Sequence, residues 1–197
     1  MKKIVLASKN LDKVKEMRLA LQDLPVEILS LADFPEMPDA VEDGATFEDN
    51  ALIKAKFFAA RTGLACLADD SGLEVDALNG LPGVRSARFA GYHADDDTNN
   101  QKLLDELGKI GATESKAAYR CALAFVDTDG TEIVTQGKID GTIKIAAQGT
   151  GGFGYDPYFY ISDKRTMAQI SPAEKNQISH RGAALKEMIV ILRNEFH

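Results

Sequence analysis

Apolar and polar positions alternate between two periods along the first third of the chain. A short apolar run at Ile4 to Ala7 reads as a buried strand. Val14, Met17, Leu21 and Leu24 then recur at helical spacing, with Lys13, Lys15 and Glu16 on other faces. Strand-like runs return at Glu27 to Leu29 and Leu64 to Ala68, and between them lies a second helix. That helix opens at Thr46, which forms an acidic variant of the capping box with Asp49, and closes at Gly63, where a left-handed residue is needed. Phe47, Ala51 and Phe58 form its apolar face. At about 100° per residue Lys54 falls on that same face while Lys56 points away, so Lys54 is an inward lysine.

The pattern changes in the second half. Leu73 to Leu78 reads as strand, and Asp95 to Asp97 lead into a helix containing Leu103, Leu104 and Leu107, the acidic triplet suiting a helix N-terminus. Ala117 to Val126 and Glu132 to Lys138 flank Asp127-Thr128-Asp129-Gly130, a hairpin signal that adds antiparallel strands. Ser171-Pro172-Ala173-Glu174 supplies a cap, a first-turn proline and a capping-box glutamate, and a final amphipathic helix carries Ala184, Leu185, Met188, Ile189, Ile191 and Leu192. Strands alternating with helices and then pairing as hairpins predict an α/β fold on a mixed sheet. With no linker or repeat, residues 1–197 read as one domain, bilobal at most.

Composition narrows the function classes. Of 197 residues, 45% are hydrophobic, enough for a substantial core. Asp and Glu (30) outnumber Lys and Arg (23), giving a net charge of -7, which argues against a nucleic-acid partner because backbone binding needs clustered cations. Cys66 and Cys121 form no CxxC or zinc spacing, and a reducing cytoplasm is the expected location. The apolar run after Met1-Lys2-Lys3 is too short for a signal peptide, and no stretch has membrane length.

Several segments carry candidate chemistry. Asp69-Asp70-Ser71-Gly72 follows the run Leu64 to Ala68, placing carboxylates at the expected C-terminal end of a buried strand, where α/β proteins bind ligands. Adjacent side chains on extended backbone point opposite ways, so one aspartate can face a ligand while the other braces the loop; an ordinary acidic turn has the same sequence. Glu42 and Asp43 offer a further carboxylate, or simply a solvated loop. Lys54 requires a carboxylate or phosphate partner, unless its stem lies along the apolar face and the ammonium reaches water. Ser8, Lys9, Asn10 and Lys13 surround a helix N-terminus that attracts anions, with Asn10 as a plain helix cap the alternative. No P-loop sequence exists.

Gly149-Thr150-Gly151-Gly152-Phe153-Gly154 matches GxGxxG formally, but Tyr155-Asp156-Pro157 stands where a dinucleotide-binding helix would start. The glycines instead suit close backbone approach to a flat ligand with an aromatic for stacking, or a loop whose aromatics lie in the core. Lys175 and Ser179-His180-Arg181 provide donors near helix starts that could meet a ligand oxygen, or could simply be solvated at the surface.

Taken together, Ser8 to Lys13, Thr46 to Ala51, Asp69 to Leu73, Gly80-Leu81-Pro82-Gly83, Gly151 to Pro157 and Ser179-His180-Arg181-Gly182 resemble the inosine triphosphate pyrophosphatase family, nearly end to end. The resemblance implies a two-lobed α/β fold with a long mixed central sheet flanked by helices, a nucleotide cleft between the lobes, and a homodimer. It implies hydrolysis of ITP, dITP and XTP to the monophosphate and pyrophosphate, with Mg²⁺ as cofactor. Glu42 and Asp70 would bind the metal, Asp70 would be the acid-base residue with Lys54 beside the phosphates, Ser8 to Lys13 would hold phosphates, and Ser71 would contact substrate. Phe153, Gly154, Tyr155, Asp156, Lys175, His180 and Arg181 would recognise the base. Lys9 stands where many relatives carry a small residue and adds local positive charge. A pyrophosphatase for pyrimidine or modified nucleotides and a non-enzymatic nucleotide sensor are the competing classes.

Overall fold

The computed structural model describes residues 2–195. Its β-strands form one seven-stranded sheet in the order β2-β1-β3-β4-β5-β6-β7. Strand β1 (Lys2–Leu6) lies between β2 (Val26–Ser30) and β3 (Ala65–Val75) and runs parallel to both, pairing Ile4 with Ile28 and with Ala65. Ile4 to Leu6 of β1 and Ala65 to Asp70 of β3 are buried in succession, as expected of parallel strands covered on both faces, whereas β2, at the sheet edge, has no fully buried residue. Strands β4 (Glu114–Val126) and β5 (Glu132–Lys144) form the expected hairpin, closed by the Asp127 N–H donating to the Thr131 carbonyl at 2.9 Å. β6 (Phe159–Ser162) and β7 (Arg165–Thr166) continue antiparallel, so the sheet is mixed.

The helices start and stop where local chemistry dictates. Helix α1 (Leu11–Leu21) is capped by Asn10 Oδ1, which accepts from the Asp12 and Lys13 N–H groups. Helix α2 (Phe47–Thr62) has the Thr46/Asp49 capping box at one end and Gly63 at φ +64° at the other, as the sequence predicts. Helix α3 (Asp96–Lys109) is capped by Asp95, α4 (Pro172–Ile178) by Ser171, and α5 spans His180–Glu195. Among the described residues no helix is long and apolar enough to cross a membrane.

Two compact units divide the chain. The first comprises the described parts of residues 1–70, 121–137 and 181–197, and its core joins Ile4, Leu6, Met17, Leu67, Phe125 and Leu192. The second comprises residues 71–120 and 138–180, with a core of Leu73, Leu103, Tyr119, Ile143, Phe159 and Met167.

Strand β3 differs from the sequence expectation. It does not end before the aspartates but runs on through Asp69-Asp70-Ser71-Gly72 to Val75. The polar pair looks like a strand terminus because buried carboxylates are rare, yet both are buried here, Asp69 held by partners that no local pattern reveals. Glu16, expected off the apolar face of α1, is also buried.

Candidate active site

In the first unit the two aspartates point to opposite sides of β3, as extended backbone requires, and meet different environments. Asp69 is 1% exposed. It accepts from Lys13 Nζ, from Arg181 Nε at 3.0 Å and from the Cys121 thiol at 3.1 Å. Burial alone would raise its pKa, but Arg181 and Lys13 override it and hold the carboxyl well below its ordinary value. Arg181 is itself shared, with Nη1 donating to Glu16 Oε2 at 2.5 Å. Glu16, Arg181, Asp69 and Lys13 thus form an alternating chain of charge, buried except at Lys13, which is partly exposed.

Asp70 is the opposite case. It is 7% exposed, and its Oδ2 has no hydrogen-bond partner among the described residues. Burial pushes its pKa up to about 6, against the pull of Lys54 and Lys13 and with help from Glu42 and Asp69. Lys54 faces inward as its helical angle predicts, and its ammonium finds partners rather than water: the Asp69 carbonyl at 3.0 Å and Glu42 Oε1 at 3.1 Å.

The donor set suits one kind of cation. Among the described residues no three His, Cys, Asp or Glu side chains converge as a closed metal cage. Asp70 with its unpartnered buried oxygen, and Glu42 close enough to perturb it, fit a hard cation that keeps waters and takes its other ligands from phosphates. The Ser8 to Lys13 segment lies at the start of α1 in the same unit. There Asn10 serves as the cap, the Ser8 hydroxyl accepts from the Asn10 N–H at 3.2 Å, and Lys9 reaches Asp39 Oδ1 at 2.7 Å and the Met37 carbonyl at 3.2 Å.

The second unit gathers the other predicted residues. Asp156 Oδ2 accepts from Lys175 Nζ at 2.6 Å and from the Phe153 N–H at 3.0 Å, and Lys175 Nζ lies 4.3 Å from the Phe153 ring centroid. Gly154, at φ +62°, is pinned through both backbone groups: its N–H donates to Asp96 Oδ2 at 2.6 Å and its carbonyl accepts from Asn100 Nδ2 at 3.0 Å. Gly152 is required twice over, since φ is +70° and a Cβ would meet the Asp156 carboxylate. His180 stacks on Tyr119 with centroids 4.8 Å apart. Ser71 is half-buried on β3 directly after Asp70.

Two expected base-recognition residues take other positions. Tyr155 is buried in the second core with its hydroxyl donating to the Ser86 carbonyl at 2.7 Å, so Phe153 is the half-exposed aromatic of this loop. The Arg181 guanidinium lies in the first unit against Asp69 and Glu16. Glu16, Cys121, Tyr119, Asp96 and Asn100 were absent from the sequence-derived site. Glu16 alone left a local trace, lying one helical turn after Lys13 and so on the same side of α1.

A mixed α/β sheet whose third strand carries a buried acid pair among inward lysines defines the class of protein. The chain belongs to the Ham1 family, whose profile matches residues 4–191. A relative in Geobacter sulfurreducens named dITP/XTP pyrophosphatase is 50% identical, covering 94% of each chain. The structure is similar to that of a HAM1 protein from Coxiella burnetii, at TM-score 0.87 and 42% identity over 98% of this chain and 100% of that one. It is likewise similar to the Staphylococcus aureus Ham1 protein, at TM-score 0.84 and 38% identity over 98% and 100%.

Proposed function

We propose that this chain is a nucleoside triphosphate pyrophosphatase that converts dITP, ITP and XTP to the monophosphate and pyrophosphate. One observation carries the reading: Asp70, buried with an unpartnered oxygen, lies within electrostatic reach of Lys54, Lys13 and Glu42. The dITP/XTP pyrophosphatase name of a relative that is 50% identical supports the substrate class.

The residues around Asp70 handle the triphosphate in this reading. Lys13 and Lys54 offset phosphate charge as it develops, a contribution that grows in a site shielded from water. Mg²⁺, held by Glu42 and Asp70, would neutralise phosphate oxygens. A carboxyl raised to about 6 accepts a proton near neutrality, so Asp70 serves as general base. Water forms a new O–P bond, the P–O bond to the pyrophosphate leaving group breaks, and the water proton passes to Asp70. Asp69 stays ionised and keeps the Lys13 ammonium in place. Ser8, Lys9 and Asn10 line the phosphate side, and Ser71 contacts substrate.

The Phe153 loop and its partners handle the base. Phe153 stacks, and the Gly154 backbone with His180 presents polar groups to the ring, while Lys175 and Asp156 hold that loop. Arg181 acts through Asp69. A 6-oxopurine satisfies donors that the amino group of adenine would leave unpaired, a mismatch worth about 10⁴-fold or more in kcat/KM. The reading includes a homodimer in the cytoplasm, checked by sedimentation. Its direct test is pyrophosphate release from dITP, ITP, XTP, GTP, ATP and dUTP, with and without Mg²⁺. Metal-dependent release with dITP and XTP favoured is expected; equal rates for ATP and dITP, or dUTP as the best substrate, would refute the substrate class.

A further inference from the structure

The Asp156–Lys175 pair is withdrawn from water, with side chains only 3% and 4% exposed. Such a pair is favourable only when the remaining lone pairs are also satisfied. Asp156 Oδ2 is used by Lys175 and the Phe153 N–H; Oδ1 accepts from the Tyr119 hydroxyl at 3.2 Å. The same Tyr119 ring lies nearly parallel to the His180 imidazole, at 17° and 4.8 Å, and rests on Phe159 with centroids 4.4 Å apart. One side chain from β4 therefore touches the carboxylate that organises the Phe153 loop and the imidazole that opens α5. Tyr119 is 6% exposed, so it acts through these neighbours.

We infer that Tyr119 is a positioning residue for base selection: its hydroxyl fixes Asp156, and through it Lys175 and Phe153, while its ring sets the plane of His180. The inference rests on the pyrophosphatase reading and deepens its base-recognition half. Discrimination between an oxo and an amino group depends on donors held within about half an ångström of their productive positions. Without the hydroxyl, Asp156 Oδ1 loses its Tyr119 donor and the carboxylate gains freedom to turn. Base affinity should fall, whereas groups of the first unit keep their arrangement.

The test compares Tyr119→Phe, which keeps the ring, with Tyr119→Leu, which removes ring and hydroxyl together. Dissociation constants for dITP, ATP and imidodiphosphate, a pyrophosphate analogue without a base, are measured alongside turnover. For Tyr119→Phe the preference for dITP over ATP should drop roughly tenfold, with KM rising and kcat within about twofold of the parent. Imidodiphosphate affinity should not change. The His180 ring protons, shifted by the Tyr119 ring current, should keep their NMR positions in Tyr119→Phe and lose them in Tyr119→Leu. An unchanged dITP-to-ATP ratio in Tyr119→Phe, or a parallel loss of imidodiphosphate affinity, would overturn the inference. Turnover by the unmodified enzyme judges the pyrophosphatase reading separately, since the binding ratios are obtained whether or not pyrophosphate is released.

Discussion

Two neighbouring aspartates of the same strand are driven in opposite directions by their surroundings. Arg181 and Lys13 overcome the cost of burying Asp69, while burial dominates at Asp70 and raises it to about 6. A carboxyl whose folded pKa exceeds its unfolded value near 3.8 binds protons more tightly when folded, so stability falls as pH rises from about 4 to 6 and the penalty is complete at neutrality. The size is on the order of 2 to 3 kcal/mol. Asp70→Asn removes that penalty along with the proton acceptor. The variant should lose essentially all pyrophosphate release and, without metal, melt several degrees higher than the parent at pH 7. A calorimetric scan beside a turnover assay reads both; an active variant, or an inactive one that melts lower, contradicts the account of this residue.

At the scale of elements, α2 matters because it carries Lys54 and because the Glu42 loop ends on its first turn. The Gly44 N–H donates to Asn50 Oδ1 at 2.8 Å, and a Cβ on Gly44 would lie 2.6 Å from Asp49 Cβ and 2.7 Å from Asn50 Oδ1. Gly44→Ala must therefore push the loop off the helix, displacing Glu42. The Mg²⁺ concentration for half-maximal activity should rise several-fold, at a stability cost of about 1 to 3 kcal/mol. Gly63→Ala at the other end is the control: nothing lies within 4 Å, so left-handed strain costs about 1 kcal/mol and the Mg²⁺ requirement should stay the same. Elements such as α2 were legible in the sequence because their signals are local. The Thr46/Asp49 box, Gly63 and the angular position of Lys54 all lie within eighteen residues of chain. The full length of β3 was not legible, because a strand signal based on apolar runs ends at the first carboxylate. What keeps Asp69 inside is Arg181, 112 residues away, whose second partner Glu16 is 165 residues away. Tyr155 and Phe153 were likewise indistinguishable by type; Tyr155 turns inward through packing and a Ser86 carbonyl 69 residues away in sequence, neither of which the local sequence reveals.

For the molecule as a whole, the consequence of this chain of charge is its behaviour in acid. Asp69 has a folded pKa well below the unfolded value of 3.8, so the unfolded chain takes up its proton first as pH falls. The stability contributed by this carboxylate is present above about pH 4 and is lost progressively below it. Protonation would leave the Arg181 guanidinium, 1% exposed, with one carboxylate fewer in a region that water does not reach. Net charge turns positive over the same range as the 30 acidic side chains are neutralised while 23 Lys and Arg remain, so general repulsion adds to the specific loss. Asp69→Asn separates the two effects, because it removes the buried carboxylate and leaves the surface acids intact. Urea midpoints should place the variant well below the parent at pH 7, by about 3 kcal/mol or more, with the gap beginning to narrow between about pH 4 and pH 3 as the unfolded parent takes up the proton that folded Asp69 still excludes. A gap that stayed constant across that range would show that Asp69 stabilises through packing rather than charge.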